Sequence, residues 1–189
     1  PTELEATPQA ERSRLLTSDG KVIAYFYDEN RAYVPLSKIA PIMQEAQVAI
    51  EDHRFYEHGA MDLQGTLRAL VSTSQGNTQG ASSLTQQYVR LVLIEQAEEN
   101  NDAVAKAAAT ENTVARKIRE LRYAIAVEKQ FTKDEILERY LNIAYYGDGA
   151  YGVEAAAQNY FGVKASKLNL QQAAMLAGIV RNPVGTNPR

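Results

Sequence analysis

The sequence predicts a mainly α-helical domain with a small β-hairpin at its N-terminus. Two short runs, Arg14 to Thr17 and Lys21 to Tyr27, read as strands around Ser18-Asp19-Gly20, where Asp-Gly supplies the turn. From Pro41 the apolar spacing changes to that of a helix and keeps that period to the C-terminus. Three stretches, Ser83-x-x-Gln86, Thr132-x-x-Glu135 and Asn169-x-x-Gln172, carry the spacing of a capping box, in which two residues satisfy each other's free N–H groups. The 189 residues suit one domain with a proper core.

In chain order, residues 1–13 read as a linker, since PTELEATPQAER is polar with two prolines. Pro41 suits a first helical turn, and Ile42, Ala46, Ala49 and Ile50 form the apolar stripe of a helix that ends at Glu51. Asp62 is placed to cap a helix with Leu63, Leu67, Leu70 and Val71 on one face, ahead of the loop-like QGNTQGAS. Leu84, Tyr88, Leu91 and Val92 give the next helix its stripe. Residues 93–113, LIEQAEENNDAVAKAAATENT, read as an exposed helical extension or a partly disordered insertion, without chemistry. Val114, Ile118, Leu121 and Ile125 are expected to be buried in the following helix. Ile136, Leu137, Tyr140, Leu141 and Ala144 have core spacing, and Asn142 is expected to tie backbone across the turn after them. YGVEAAAQNYFG and LNLQQAAMLAGIVRNP read as close Ala and Gly packing, with stops at Gly147, Gly162 and Asn182-Pro183.

Composition narrows the partners. With 20 Lys+Arg against 23 Asp+Glu the net charge is −3, so no global basic field recruits nucleic acid, and a polyanionic ligand must be met locally. The absence of cysteine excludes disulfides and thiolate zinc sites. No apolar run reaches the roughly 18 residues of a membrane span. The chain lacks an initiator Met and a signal peptide and stops at NPR, and is expected to be an excised piece.

Four polar motifs follow one another: EDHRFYEHGAMD (51–62), GASSLTQQYVR (80–90), RKIRELRYAIAVEK (116–129) and ILERYLNIAYYGDGAYG (136–152). Both histidines, His53 and His58, fall in the first. In the second, Ser83, Gln87 and Arg90 share one helical face, and in the third Arg116 and Glu120 stand one turn apart. Taken alone, that pair is an ordinary i,i+4 contact. As a series the motifs resemble the glycosyltransferase domain of class A bifunctional penicillin-binding proteins, the peptidoglycan glycosyltransferases of family 51, and among them the actinobacterial branch. The resemblance runs from about Ser18 to Pro188. Ala60 and Ala81 stand where Gly is usual, Ser83 where Thr is usual, and Leu91 where Asn is common.

The resemblance implies a lysozyme-like fold over residues 14–189, with a membrane anchor and a transpeptidase domain outside them. It implies polymerisation of lipid II on a growing glycan strand, with undecaprenyl pyrophosphate released at the extracytoplasmic face of the plasma membrane. Such a reaction needs one base for the attacking sugar hydroxyl and positive charge for the departing pyrophosphate, where a retaining glycosidase needs two close carboxylates. Glu51 is the expected base. At the C-terminal end of its helix the macrodipole disfavours ionisation and should make the carboxylate more basic. Asp52 would hold the polar network beside it, Phe55 reads as half core and half pocket wall, and His58 as a structural or binding group. Ser82, Ser83, Gln86, Gln87 and Arg90 suit sugar and phosphate oxygens. Arg116 and Lys117 would neutralise the pyrophosphate, and Glu120, a second catalytic candidate, would orient them or hold Mg2+ or Mn2+. Tyr145 would reach the cleft between the helix ending at Glu51 and the helix of Arg116 to Glu120.

Further partners implied are the membrane surface, with Leu63, Leu67, Leu70 and Val71 as its contact, phosphoglycolipid inhibitors of the moenomycin type, and the cell-wall synthesis machinery. A lysozyme-like hydrolase or lytic transglycosylase is the alternative enzyme, and a non-catalytic cell-wall scaffold the alternative to an enzyme. The cationic cluster and the paired glutamines argue against the first, because cutting glycan offers no pyrophosphate.

Overall fold

A computed structural model of the chain describes residues 13–16, 22–26, 30–60, 82–111 and 113–181. It is mainly α-helical, with seven α-helices among those residues. Strands β1 (Ser13–Leu16) and β2 (Val22–Phe26) pair antiparallel, Ser13 opposite Phe26 and Leu16 opposite Val22, with an irregularity between Leu15 and Leu16. They lie within a residue of their expected bounds, and Ser13 belongs to β1 instead of the linker. The remaining linker residues, the Asp19-Gly20 turn, the helix expected after Asp62, most of QGNTQGAS and Asn182-Pro183 lie outside the described residues.

The chain forms two compact units, one holding Val48–Leu137, the other the segment up to Gln47 and that from Glu138 on. It passes between them inside α1 (Pro41–Glu51) and inside α5 (Lys133–Ile143).

In the first unit α2 (Leu84–Glu99) packs against α3 (Ala103–Thr110) and α4 (Val114–Gln130). Each begins at a side-chain cap that answers an otherwise free N–H: Ser83 accepts from Gln86 N at 3.2 Å, Asp102 from Ala105 N at 2.9 Å, Thr113 from Arg116 N at 3.2 Å. The stretch from Leu93 supplies the end of α2 and the whole of α3, with Ala97 and Ala109 buried. Phe55, Leu84, Val89, Ala124, Ile136 and Leu137 make the core.

Two expected stripes are corrected. In α4 Val114, Ile118 and Ile125 are 76%, 56% and 44% exposed, while Arg116, Glu120, Ala124 and Val127 face inward. Hydropathy alone turns a helix by its apolar side; here an ion pair needs the interior, and the helix is turned to supply it. In α1 the buried residues are Met43 and Gln47, one position along from Ile42 and Ala46, which are half-buried. Pattern reading passed over that ridge because one member is an amide.

In the second unit β3 (Asn30–Arg31) and β4 (Ala150–Tyr151) pair in parallel, and α6 (Val153–Phe161) packs against α7 (Leu170–Arg181) through buried Ala155, Ala156 and Ala157. Tyr140, Leu141 and Ala144 are buried as expected. Asn142 ties a different backbone from the one predicted: its Oδ1 accepts Val34 N at 2.9 Å, and its Nδ2 donates to Val34 O at 2.9 Å and Glu138 O at 2.8 Å. The partner is a hundred residues away in sequence, and local spacing carries no sign of it. Buried Glu154 likewise serves structure, accepting Ala165 N at 2.7 Å. Gly162, at φ 66°, ends α6 in the left-handed conformation that favours glycine.

Candidate active site

Glu51 is the last residue of α1, half-buried, and its Oε2 accepts a 2.6 Å hydrogen bond from Gln87 Nε2 in the first turn of α2. The glutamine leaves the second carboxylate oxygen available for other partners. Asp52 is buried, and its two oxygens point to two elements: Oδ1 lies 2.7 Å from His58 Nε2, and Oδ2 accepts Leu84 N at 3.1 Å, at the very start of α2. A carboxylate there answers a free helix N–H and the positive end of the dipole together. His58 Nδ1 is 2.6 Å from the Gly59 carbonyl oxygen, so both ring nitrogens face acceptors and the imidazole is held in place. His53 is exposed.

The Ala60 carbonyl completes the latch between the first two motifs, accepting Ser83 Oγ at 3.1 Å and Gln86 Nε2 at 2.9 Å. Gln86 therefore faces inward while Gln87 meets Glu51, and Arg90 lies exposed on the same helix. Phe55 is fully buried. Its ring meets the Lys133 ammonium at 4.4 Å from the centroid, a cation–π contact that belongs to the interior.

On α4 the cationic cluster divides into a buried and an open half. Arg116, 5% exposed, donates through Nη1 to Glu120 Oε1 and through Nε to the Glu111 carbonyl. Glu120 is 2% exposed, and its Oε2 lies 3.4 Å from Lys117 Nζ. The Lys117 side chain is 45% exposed, and its ammonium also donates to Ser82 Oγ. Glu51 and Glu120 are thus linked to the same short segment of chain, one through Gln87, the other through Lys117 and Ser82. A carboxylate already engaged by two cations does not make a metal cage, and among the described residues no three His, Asp or Glu side chains come together to hold an ion.

Tyr145 belongs to the other compact unit; its hydroxyl accepts Gly149 N at 3.3 Å and its ring lies against Tyr151 at 4.7 Å. Sequence reading assigned nothing to Thr85, Glu128 or Lys133, which form a polar chain running from buried Thr85 to half-buried Glu128 and Lys133. The one available signal was the Thr132 capping box, which sets Lys133 at the first position of α5.

The transglycosylase family matches residues 19–189. Penicillin-binding protein 2D of Bacillus subtilis (strain 168) is 41% identical over 177 residues, covering 92% of this chain and 24% of that protein. Penicillin-binding protein 1A of Escherichia coli (strain K12) is 41% identical over 177 residues, covering 93% of this chain and 19% of that protein. Penicillin-binding protein 1A/1B of Bacillus subtilis is 37% identical over 179 residues, with 93% and 18% covered. The chain spans at most about a quarter of the length of these relatives. A match over nearly the whole chain, on a mainly helical scaffold, establishes that the chain belongs to the transglycosylase family and is a peptidoglycan glycosyltransferase domain of the kind found in penicillin-binding proteins.

Proposed function

We propose that this domain polymerises lipid II into β-1,4-linked glycan strands with inversion at the anomeric carbon, and that Glu51 is its base. The acceptor's 4-hydroxyl gives its proton to the Glu51 carboxylate as its oxygen bonds to the donor's anomeric carbon. The bond from that carbon to the phosphate oxygen breaks, and undecaprenyl pyrophosphate leaves with the electron pair. Lys117, whose side chain is nearly half exposed, takes the pyrophosphate charge, and Arg116 acts from behind it by holding Glu120 in register. Arg90 and the Ser82, Ser83, Gln86 and Gln87 segment bind sugar and phosphate oxygens, with Tyr145 as a further contact. Were Mg2+ or Mn2+ bound with the substrate, Glu120 would be the carboxylate to hold it, and the ion would supply further positive charge for the pyrophosphate.

The observation that carries this reading is the asymmetry of the two carboxylates. Glu51 is oriented by a neutral amide, whereas Glu120 is engaged by two cations. That is a base and a charge-neutralising cluster, not the pair of reacting carboxylates of a retaining glycosidase.

The same reading takes the domain as lysozyme-like, with β1 and β2 closed into a hairpin at Asp19-Gly20. It places the chain in a class A bifunctional protein of the actinobacterial type, anchored at the extracytoplasmic membrane face and fused to a transpeptidase. Leu63, Leu67, Leu70 and Val71 would be its contact with the lipid surface. No helix among the described residues is long and apolar enough to cross a membrane. Incubation with lipid-linked disaccharide-peptide should yield glycan polymer and free polyprenyl pyrophosphate. Shortening of preformed glycan without polymer would overturn the reading in favour of a hydrolase.

A further inference from the structure

Against the first two motifs lies a half-buried ammonium–carboxylate couple that no step of the reaction uses. Lys133 Nζ is 2.7 Å from Glu128 Oε1, with only 20% and 12% of the two side chains exposed. The same Oε1 accepts Thr85 Oγ1 at 2.5 Å, and Thr85 is fully buried. On its other side the ammonium stands over the ring of Phe55, also fully buried. Three elements meet at these two charges: the segment after Glu51, the first turn of α2, and the junction of α4 with α5.

Connectivity gives that meeting its meaning. Phe55 N donates to the Asp52 carbonyl at 2.8 Å, so the residue whose ring Lys133 covers is held by the backbone one turn on from Asp52 and Glu51. Thr85 is two residues before Gln87, whose amide holds Glu51 Oε2. The couple is therefore anchored to both stretches of chain that carry the Glu51–Gln87 hydrogen bond, at Phe55 after Glu51 and at Thr85 ahead of Gln87. A second tie repeats the arrangement: Tyr56 Oη donates to Asp134 Oδ1 at 3.0 Å, again from the first motif to the start of α5. A pair of charges placed only for stability has no need to reach both partners, and hydrophobic residues of similar volume would serve the core as well or better.

We infer that Lys133, Glu128 and Thr85 are positioning residues for the base, setting the register between Glu51 and Gln87. The inference rests on the reading of Glu51 as the base. A displacement of about 1 Å at such a site costs on the order of 10²-fold in rate, so the couple acts on turnover and leaves substrate affinity alone.

The test is steady-state kinetics on lipid-linked disaccharide-peptide, with thermal unfolding run in parallel. The double variant Lys133→Met with Glu128→Gln removes both charges at nearly constant shape, so no buried charge is stranded. It is expected to lower kcat by about 10²-fold with KM unchanged, and Lys133→Arg, which keeps the cation over Phe55 and against Glu128, is expected to restore most of kcat. Native kcat in the folded double variant, or a loss confined to KM, overturns the inference. Should the double variant fail to fold, Thr85→Val takes its place, removing one hydroxyl from one end of the chain; native kcat there overturns the inference too. Glu51→Gln runs beside them to separate the two failures: an active Glu51→Gln refutes the base itself, whereas an inactive Glu51→Gln beside a native double variant refutes the positioning role alone.

Discussion

Arg116 and Lys117 are neighbours in sequence and do different work. Arg116 is sealed against Glu120, itself 2% exposed, so Arg116→Ala leaves a buried carboxylate short of its main partner and should cost about 3–5 kcal/mol of stability by denaturant unfolding. Lys117→Ala should change stability by no more than about 1 kcal/mol, because its side chain is nearly half exposed. It should nevertheless weaken binding of the pyrophosphate substrate, and leave a phosphate-free chitin-type oligosaccharide unaffected. For Glu51→Gln the shape is kept and the proton acceptor lost; a folded variant with polymerisation reduced by about 10²- to 10⁴-fold is expected. Near-normal polymer yield from that variant would remove Glu51 from the mechanism. Tyr56 supplies a pH signature. Desolvation, then its hydrogen bond to Asp134 and that group's charge, push its hydroxyl from the ordinary 10 up to about 12. The folded state therefore favours the protonated phenol, a contribution complete below pH 10 and lost as the pH rises through about 12. Between those values the denaturation midpoint of the native protein should fall more steeply than that of Tyr56→Phe.

Helix α4 shows most directly how an element's orientation is decided. Its apolar residues Val114, Ile118 and Ile125 face outward because its inward face holds Arg116 and Glu120 beside Ala124 and Val127. Ile118→Ser should accordingly shift stability by less than about 0.5 kcal/mol. Ile136→Ala, at a site with no exposure in α5, should cost about 2–5 kcal/mol. Equal losses at both positions would mean that α4 buries the stripe after all. The capping boxes behave as local chemistry dictates. Thr132 N donates to Glu135 Oε2 at 2.8 Å and Glu135 N to Thr132 Oγ1 at 3.3 Å, and Asn169 with Gln172 repeats the exchange at 3.1 and 3.0 Å. Gly152 illustrates the opposite case. Its φ is 81°, and a Cβ there would stand 2.7 Å from the Asn142 carbonyl oxygen, a clash set by chain from another helix.

Taken whole, the molecule carries a net charge of −3 and still presents Lys117 half exposed on α4, so the proposed pyrophosphate binding would be a property of one helix face and not of the global field. A ligand that bridges Lys117 and the segment before α2 should stabilise the folded chain by mass action. At a hundredfold excess over its Kd, a phosphoglycolipid inhibitor should add about 2.7 kcal/mol, read as a rise in Tm. Lys117→Ala should shrink that rise, and a neutral oligosaccharide should produce little of it in either protein.

The family, the mainly helical class, the two reciprocal capping boxes at Thr132 and Asn169, the one-way cap at Ser83 and the buried run from Ile136 to Ala144 were legible in the residues alone, because each rests on spacing within one turn or on a motif read in order. The candidate residues of the first three motifs were picked out on the same grounds, and what the structure adds is their hydrogen-bond partners. Which way α1 and α4 face, the tie from Asn142 to Val34, the complete burial of Phe55, and the chain from Thr85 through Glu128 to Lys133 were decided by the tertiary structure. These depend on partners tens of residues away and on buried charges being matched inside the protein. Hydropathy ranks residues by their cost of leaving water, and it cannot see the partner that offsets that cost.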